Sequence, residues 1–465
     1  MSVMLRMLSK VAVAAGVAGL AAAGTGVEAR SVRLDVEMSQ SKVLVTGPRT
    51  AHLYVGVTGL DAPRGRRPAL NVAIVLDRSG SMSGRKLQEA KRAAAMAVGM
   101  LRGDDIVSVV TYESTVDVLV PATKAQDKAA IRRAIRSIVP AGRTALFGGV
   151  SKGARELRKF LDENRVNTLL LLSDGLANVG PSSPGELARL GVSLAREGMA
   201  VTTIGLGLDY NEDLMTRLAR ASDGNHFFVE NASDLEYAFA TEFGDALSAV
   251  AQEVDIHVVC PKGVRPVRVL GRDALISGQE VRTTMGQVFA DQTRYLVVEL
   301  TLPPQEPNTA LKVADVEATY RDLLTRQSER LRGSTRVTFA SSQAAIKAST
   351  NEKVMAEVVR QIGTERNEVA MALRDEGKVE EAREAFVENA QFLEQQAQEL
   401  DSDSLKKDAT ANANASRNLS KEEWRRERKV QQEMQLKAKS QRNDLIKDEK
   451  AQQQKAGEAS GGTAR

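Results

Sequence analysis

The sequence predicts an α/β protein: a doubly wound, mostly parallel sheet inserted in a β-sandwich, followed by an αα-hairpin and a disordered tail. Strands and helices alternate over residues 70–250, which is typical of a parallel sheet covered by helices on both faces. Runs with the period-2 alternation of half-buried strands flank that region on both sides. Beyond residue 343 the apolar spacing becomes helical, and beyond residue 401 the chain becomes strongly polar.

Residues 1–29 have the pattern of a secretory signal. Arg6 and Lys10 precede a small apolar run over residues 11–24, and small residues up to Ala29 follow at the positions that a signal peptidase reads. The run is shorter than the roughly 20 residues that span a bilayer, so an uncleaved anchor is the alternative. We therefore expect an exported protein of a bacterial periplasm or cell envelope, touching the membrane only through this segment.

The composition excludes several classes of function. The 64 basic residues are nearly balanced by 60 acidic ones, and a net charge of +4 is too small to indicate a nucleic-acid partner. No later run is apolar enough to form a channel through a membrane. The single cysteine, Cys260, lies in an apolar run, so we expect it to be buried and without an internal disulfide.

The strand-rich flanks are predicted to form one β-sandwich. Residues 31–60 alternate apolar and polar side chains, and residues 252–340 contain further strand-like runs separated by prolines. The first block would be orphaned by itself, because a lone hairpin or meander is only marginally stable. We therefore expect the two blocks to pair, with residues 70–250 inserted between them.

The inserted region is expected to form a sheet with one antiparallel edge. Its predicted strands include residues 71–76, 106–112, 168–172 and 201–206, and amphipathic helices lie between them. Residues 116–120 follow their neighbour after a short turn, so the simplest position for this strand is an antiparallel edge.

The C-terminal part is predicted to be helical and then disordered. Residues 343–400 carry two apolar stripes at helical spacing, separated near Gly377. The segment around Gly377 resembles the turn of a tetratricopeptide repeat, but a single copy cannot make a solenoid, so an αα-hairpin is favoured. Residues 401–465 are rich in Lys, Gln, Glu, Asn and Ser, and Trp424 is their only tryptophan. We expect this charged tail to be largely disordered.

Oxygen-bearing side chains follow two of the predicted strands. Asp77, Ser79 and Ser81 come directly after one apolar strand, and Asp174 comes after another. Thr144 lies between them in sequence, in a turn before a helix. Ligands of open α/β sheets bind beyond the carboxyl ends of the strands, where these side chains are expected to meet. Their hard oxygens suit an octahedral Mg²⁺ ion.

The order Asp-x-Ser-x-Ser, then Thr, then Asp resembles the metal-ion-dependent adhesion site of the von Willebrand factor type A domains. The resemblance covers about residues 70–245 and implies a Rossmann-like fold. It implies three hydroxyl ligands: Ser79, Ser81 and Thr144. It also implies two carboxylates that bind the metal directly or through its waters: Asp77 and Asp174. The implied ion is Mg²⁺, with Mn²⁺ and Ca²⁺ as alternatives. The strand-rich flanks are similar to those of bacterial homologues of the calcium-activated chloride channel accessory family.

Catalytic alternatives fit the same residues poorly. A phosphatase of the haloacid-dehalogenase type places a second Asp two residues after its nucleophile, and Ser79 stands there. A phosphate-binding P-loop needs a Lys after its glycine-rich loop, and this loop has none. The three histidines are too scattered for a His-Glu-x-x-His zinc protease site. We therefore expect a site that binds rather than catalyses, and no enzyme activity.

The favoured function is metal-dependent protein binding on an exported scaffold. In this hypothesis a partner presents an Asp or Glu carboxylate that completes the coordination of the metal. The alternative is an assembly factor for an envelope complex or an AAA-type ATPase, as the resemblance also allows. The export signal weighs against a cytoplasmic ATPase, because the two proteins would lie on opposite sides of the membrane.

Overall fold

A computed structural model describes residues 31–46, 49–61 and 67–441, so the predicted signal at residues 1–29 lies outside the described residues. The chain enters a β-sandwich with three strands: β1 (Val32–Met38), β2 (Lys42–Leu44) and β3 (Thr50–Gly59). β1 pairs antiparallel with residues 53–59 of β3 over its whole length.

The inserted domain follows and has six strands in one sheet. Its strands are β4 (Ala69–Asp77), β5 (Ile106–Tyr112), β6 (Val116–Lys124), β7 (Arg165–Ser173), β8 (Met199–Leu206) and β9 (His226–Val229). Its helices are α1 (Arg85–Met100), α2 (Lys128–Arg136), α3 (Leu146–Arg158), α4 (Pro184–Arg196), α5 (Glu212–Ala221) and α6 (Leu235–Ser248). The strand order is β6-β5-β4-β7-β8-β9, and β6 is the antiparallel edge strand, as predicted.

Helices cover both faces of this sheet. Ile74 and Leu76 of the central strand β4 pack in one cluster with residues of α1 and α6. Ala73 and Val75 point to the other face, where they pack with residues of α3, α4 and α5. A strand buried on both faces has a continuous apolar sequence instead of an alternating one, which is why residues 72–76 of β4 are all apolar.

The second part of the sandwich follows the inserted domain. Its strands are β10 (Ala249–Val259), β11 (Arg265–Leu270), β12 (Leu275–Ser277), β13 (Glu280–Phe289), β14 (Thr293–Thr301), β15 (Ala310–Asp322) and β16 (Ser328–Ala340). One sheet has the order β1-β3-β14-β11, and the other has the order β12-β13-β10-β15-β16-β2. Both sheets therefore combine strands from the two flanks, which confirms the predicted insertion. Cys260 is buried and unpaired in the core between them.

Helices complete the described chain: α7 (Gln343–Lys347), α8 (Glu352–Asp375), α9 (Val379–Glu399), α10 (Asp403–Ala415) and α11 (Lys421–Ser440). α8 and α9 form the predicted hairpin, and Gly377 with a φ of 84° supplies the left-handed residue that ends α8. In the described part of the chain, no helix is long and apolar enough to cross a bilayer.

The prediction of disorder from Asp401 onward is wrong for the described residues as far as Gln441. Leu405 and Ala409 of α10 pack against α9, and Trp424 of α11 packs edge-on against Phe386 at 6.1 Å between ring centroids. α11 then runs back to contact α5, β9 and α8. Arg428, Lys429 and Lys439 of α11 pair with carboxylates of α5 and α8, so a helix with little apolar surface is still held in place.

Candidate metal centre

The candidate site lies at the carboxyl ends of β4 and β7, which are adjacent and parallel in the sheet. β4 ends at Asp77 and β7 ends at Ser173, one residue before Asp174. The Ser173 hydroxyl donates a hydrogen bond of 2.8 Å to Oδ2 of Asp77. Parallel pairing thus brings together two loops that are almost one hundred residues apart in sequence.

Asp77 is buried and lies at the bottom of the site. Its side chain is inaccessible to solvent, and its Oδ1 accepts a hydrogen bond of 2.8 Å from the backbone N–H of Ser79. Burial raises the pKa of Asp77 to about 6, although the hydrogen bonds from Ser79 and Ser173 act in the opposite direction. The carboxylate is therefore held in a fixed orientation, and a nearby positive charge would favour its ionised form.

The hydroxyls form a chain toward Asp174. Oγ of Ser79 lies 3.0 Å from Oγ of Ser81, which donates a hydrogen bond of 2.6 Å to Oδ1 of Asp174. Ser79 and Asp174 are buried, whereas Ser81 is exposed. The site is therefore accessible from the side of Ser81.

Thr144 joins this group from the loop before α3. A β-carbon at Gly175 would lie 3.5 Å from Oγ of Ser81 and 3.7 Å from Oγ1 of Thr144, so both hydroxyls border the small space above this glycine. Asn178 fixes the backbone of Thr144, since its Oδ1 accepts a hydrogen bond of 2.9 Å from the Thr144 N–H. Asp77, Ser79, Ser81, Thr144 and Asp174 thus lie at one place in the fold. We call this place the oxygen hollow.

Lys86 also reaches the oxygen hollow, and the sequence analysis did not identify it. Its Nζ donates a hydrogen bond of 2.6 Å to Oδ2 of Asp174. Lys86 is the second residue of α1, where the helix dipole disfavours a positive charge. This position alone could not have identified Lys86 in the sequence, because Arg85 also begins the helix and reaches only Glu89 of the same helix.

The oxygen hollow has the chemistry of a site for a hard divalent cation. It combines two carboxylates with three hydroxyls, and the missing side chain of Gly175 leaves space beside them. Within residues 31–46, 49–61 and 67–441, no group of three or more His, Cys, Asp or Glu side chains converges so as to hold a metal. An ion in the hollow would depend on hydroxyls as well as carboxylates, which suits Mg²⁺ better than Zn²⁺.

Comparison with known proteins identifies the family of the domain that contains the oxygen hollow. The family model described as von Willebrand factor type A domain matches residues 71–241. These residues form a von Willebrand factor type A (VWA) domain. VWA domains are typically metal-dependent protein-interaction modules, usually with a divalent ion at the adhesion site, and are generally non-catalytic.

The similarity to two bacterial proteins covers more residues than the VWA domain alone. An uncharacterized protein of Synechocystis is 28% identical over 293 residues, which are 60% of this chain and 68% of that protein. The uncharacterized protein YfbK of Escherichia coli is 28% identical over 208 residues, which are 44% of this chain and 36% of that protein. This chain therefore spans only about a third of the YfbK protein.

A solved structure shows the same overall architecture. The von Willebrand factor type A protein from Catenulispora acidiphila superposes with a TM-score of 0.68, covering 85% of this chain and 91% of that one. The two sequences are 17% identical, so the likeness concerns the fold alone.

Proposed function

We propose that the protein is a metal-dependent protein-binding module, and that the oxygen hollow holds Mg²⁺ through Ser79, Ser81, Thr144, Asp77 and Asp174. The observation that carries this proposal is the convergence of the Ser81 and Thr144 hydroxyls with Asp174 above Gly175, inside a VWA domain. The bound ion would supply a positive centre for a partner's Asp or Glu carboxylate. Mn²⁺ and Ca²⁺ are the alternative ions.

The chain's own residues would prepare this contact. Ser173 and the N–H of Ser79 orient Asp77, so that its negative charge faces the hollow without rearrangement. The ammonium group of Lys86 pairs with Asp174. An incoming divalent ion would have to displace this ammonium group, and the affinity for the metal would depend on how easily Lys86 moves away.

The rim of the hollow offers apolar contacts for a partner. Leu176 follows Gly175 and is 59% exposed, and Val139 is 62% exposed in the loop that leads to Thr144. That loop is tied to the first one, since the Ala141 N–H donates to the carbonyl of Arg78 at 2.8 Å. A partner that presents a carboxylate beside an apolar side chain would therefore fit both the ion and the rim.

The proposed location is outside the cytoplasm, in the periplasm or cell envelope, and rests on the signal-like segment at residues 1–29. The alternative function is an assembly factor for an envelope or AAA-type ATPase complex. The resemblance of the flanking strands to the calcium-activated chloride channel accessory family remains a prediction from the sequence.

Titration calorimetry of the full chain with Mg²⁺ tests the metal site. Asp77→Asn keeps the size of the buried side chain and removes its charge, so the affinity should fall at least about tenfold. Asp117→Asn is the matched control, because Asp117 is exposed and pairs with Arg78 instead of lining the hollow. Equal Mg²⁺ affinity in both variants would contradict the assignment.

Affinity capture from the native cell envelope tests the partner. Proteins retained in Mg²⁺, released by a chelator and not retained by Asp77→Asn are the expected partners. If the retained proteins are subunits of an ATPase complex and carry no carboxylate needed for binding, the assembly function replaces the adhesion-like one.

A further inference from the structure

The surface around α2 of the VWA domain is strongly basic. Asp127 is the only acidic residue of residues 118–155, although the chain as a whole has nearly as many acidic as basic residues. The basic side chains of this surface come from α2, the end of β6 and the adjoining side of α1: Lys91, Lys124, Lys128, Arg132, Arg133 and Arg136. We call this surface the α2 basic face.

No carboxylate of the described residues pairs with the cations of α2. Nζ of Lys128 and Nε of Arg132 donate to backbone carbonyls of α1, at 3.1 and 3.0 Å. Arg133 and Arg136 are exposed, and neither forms an ion pair within the described ranges of the chain. Both lie in the last turn of α2, where the helix dipole favours a cation but leaves its charge available to a partner.

The carboxylates on the same elements have other partners. Oδ1 of Asp127 accepts a backbone N–H of 2.8 Å at the start of α2. Glu89 of α1 lies 3.1 Å from Arg92 of the same helix, and Asp117 of β6 lies 3.0 Å from Arg78. The positive charge of the α2 basic face is therefore not balanced by these groups.

The α2 basic face leads toward the oxygen hollow. Nζ of Lys91 donates to the Ile138 carbonyl at 2.9 Å, so the carboxyl end of α2 lies beside the first half of α1, which begins near Lys86 at the hollow. Arg143 lies in the loop that joins α2 to the hollow and directly precedes Thr144. It is exposed and has no ion pair among the residues that the structure describes. A chain bound at the hollow that continued over this loop would meet Arg143 and then α2.

The other side chains of α2 indicate which kind of anion the face fits. Ala129 is exposed, whereas Ile131 and Ile135 are buried in the core, and the helix has no aromatic residue. The helix therefore exposes no large apolar side chain that could enter a lipid bilayer and no ring that could stack on a nucleic-acid base. Carboxylates of a polypeptide match the exposed guanidinium groups through charge-assisted hydrogen bonds.

We propose that the α2 basic face binds an acidic segment of the partner protein whose carboxylate enters the oxygen hollow. The inference rests on the function proposed above for the hollow, but the face itself requires no metal. Its cations attract the segment before contact and pair with its carboxylates along α2 afterwards. The partner is therefore a protein with several Asp or Glu residues near the one that reaches the ion.

Calorimetry with two synthetic peptides of equal length tests the proposal: one of eight Glu-Ser repeats and one of eight Gln-Ser repeats. The full chain is titrated at low ionic strength in a chelator, so that no metal contributes. Only the Glu-Ser peptide should bind, and its affinity should fall as NaCl is added, because salt screens exposed charges. Equal binding of the two peptides, or no binding of the Glu-Ser peptide at millimolar concentration, would overturn the proposal.

Paired variants locate the binding. Arg133→Gln combined with Arg136→Gln should weaken the Glu-Ser peptide about threefold to tenfold, the effect of two lost surface ion pairs. Arg189→Gln combined with Arg196→Gln removes the same charge from exposed arginines of α4, on the other face of the sheet, and should change the affinity less than about twofold. Equal weakening in both double variants would show an effect of net charge alone and would refute a site on α2.

A variant outside α2 keeps the test decisive if the double variant of α2 fails to fold. Lys124→Glu reverses an exposed charge at the end of β6 and should weaken the Glu-Ser peptide about threefold. Unchanged affinity in Lys124→Glu would then reject the α2 basic face.

Two further measurements separate the α2 basic face from the oxygen hollow and from a membrane. Mg²⁺ should tighten the Glu-Ser peptide in the wild type but not in Asp77→Asn, and failure of this effect would contradict the metal site while the binding to α2 in chelator stands. Vesicles of phosphatidylglycerol should bind more weakly than the peptide. Stronger vesicle binding that is lost in the double variant of α2 would assign the face to a membrane and overturn the proposal.

Discussion

Nζ of Lys86 lies 2.6 Å from Oδ2 of Asp174, and Oγ of Ser81 lies 2.6 Å from the other oxygen of the same carboxylate. The Asp174 side chain is inaccessible to solvent, whereas that of Lys86 is 35% exposed. Asp174 is therefore paired with a cation from the protein itself, the ammonium group of Lys86. Binding of a divalent ion and pairing with Lys86 compete for one carboxylate.

Replacement of Lys86 should separate two roles of Asp174: pairing with the lysine and binding of a divalent ion. In Lys86→Met the free energy of unfolding without metal should fall by about 1–2 kcal/mol, because a buried carboxylate loses a partly exposed partner. The affinity for Mg²⁺ should rise about threefold to tenfold, since no ammonium group has to leave. Thermal melts with and without Mg²⁺ measure both effects, and Lys159→Met is the control. A lower Mg²⁺ affinity in Lys86→Met would show that the lysine supports metal binding.

His226 should make the fold sensitive to acid. Its Nδ1 lies 2.8 Å from Oγ1 of Thr203 and its Nε2 lies 3.2 Å from the hydroxyl of Tyr210. Burial lowers its pKa from 6.5 to about 3, and Lys429 adds to this effect. The folded state thus keeps the ring neutral, and its contribution is complete above pH 6.5 and is lost as the pH falls toward 3.

The loss of unfolding free energy through His226 is measurable at pH values at which most carboxylates are still ionised. Between pH 6.5 and 5 the wild type should lose about 1.5–2 kcal/mol of unfolding free energy through His226. His226→Gln lacks this titration, so the stability difference between wild type and variant should narrow by the same amount over that interval. Urea denaturation at several pH values checks this, and parallel curves would contradict a buried neutral histidine.

Arg428 should be the main ion-pair contact that holds α11 against the VWA domain. It reaches Glu212 at 2.6 Å and Asp213 at 2.9 Å in α5, and Asp375 at 2.9 Å in α8, while only 17% of its side chain is exposed. Arg428→Ala should lower the free energy of unfolding by about 2–3 kcal/mol, because Asp213 and Asp375 lose the cation with which they pair. Hydrogen exchange should show faster opening of α11.

Arg425 gives a matched control on the same helix. It pairs with Asp209 of the VWA domain, but both side chains are largely exposed, so Arg425→Ala should change stability by no more than about 0.5 kcal/mol. Equal exchange rates of α11 in the two variants would show that apolar packing, and not Arg428, holds the helix.

Fragments of the chain should show that the β-sandwich needs strands from both sides of the VWA domain. Residues 66–248 should melt cooperatively, because they carry the whole VWA sheet and the helices on both its faces. Residues 252–340 should not, since β14 pairs with β3 along its length and the fragment lacks β1, β2 and β3. A cooperative calorimetric transition of the second fragment alone would contradict this dependence.

Local sequence determined much of the fold and of the candidate site. The unbroken apolar run of β4 and the alternation of strands with helices predict the VWA sheet, because each strand must bury both faces between two helical layers. Asp77, Ser79 and Ser81 were identified because their spacing lies within one loop. Asp174 was identified because parallel strands end at the same edge of a sheet, whereas Thr144 was identified through the resemblance to the metal-ion-dependent adhesion site.

Only the tertiary structure showed which polar residues of α11 are buried and which residues they contact. Lys429 and Gln431 of α11 are buried, although their sequence is that of a solvated helix. Lys429 pairs with Glu212, more than two hundred residues away, and lies 4.1 Å from the ring centroid of Tyr210. Apolar periodicity is a property of neighbouring residues, so it can be recognised in the sequence. An ion pair depends instead on which distant carboxylate the fold brings near the cation. For that reason the sequence predicted the sheet and the oxygen-bearing side chains at its edge, and the structure alone revealed the contact of Lys86 with Asp174 and the ordered α11.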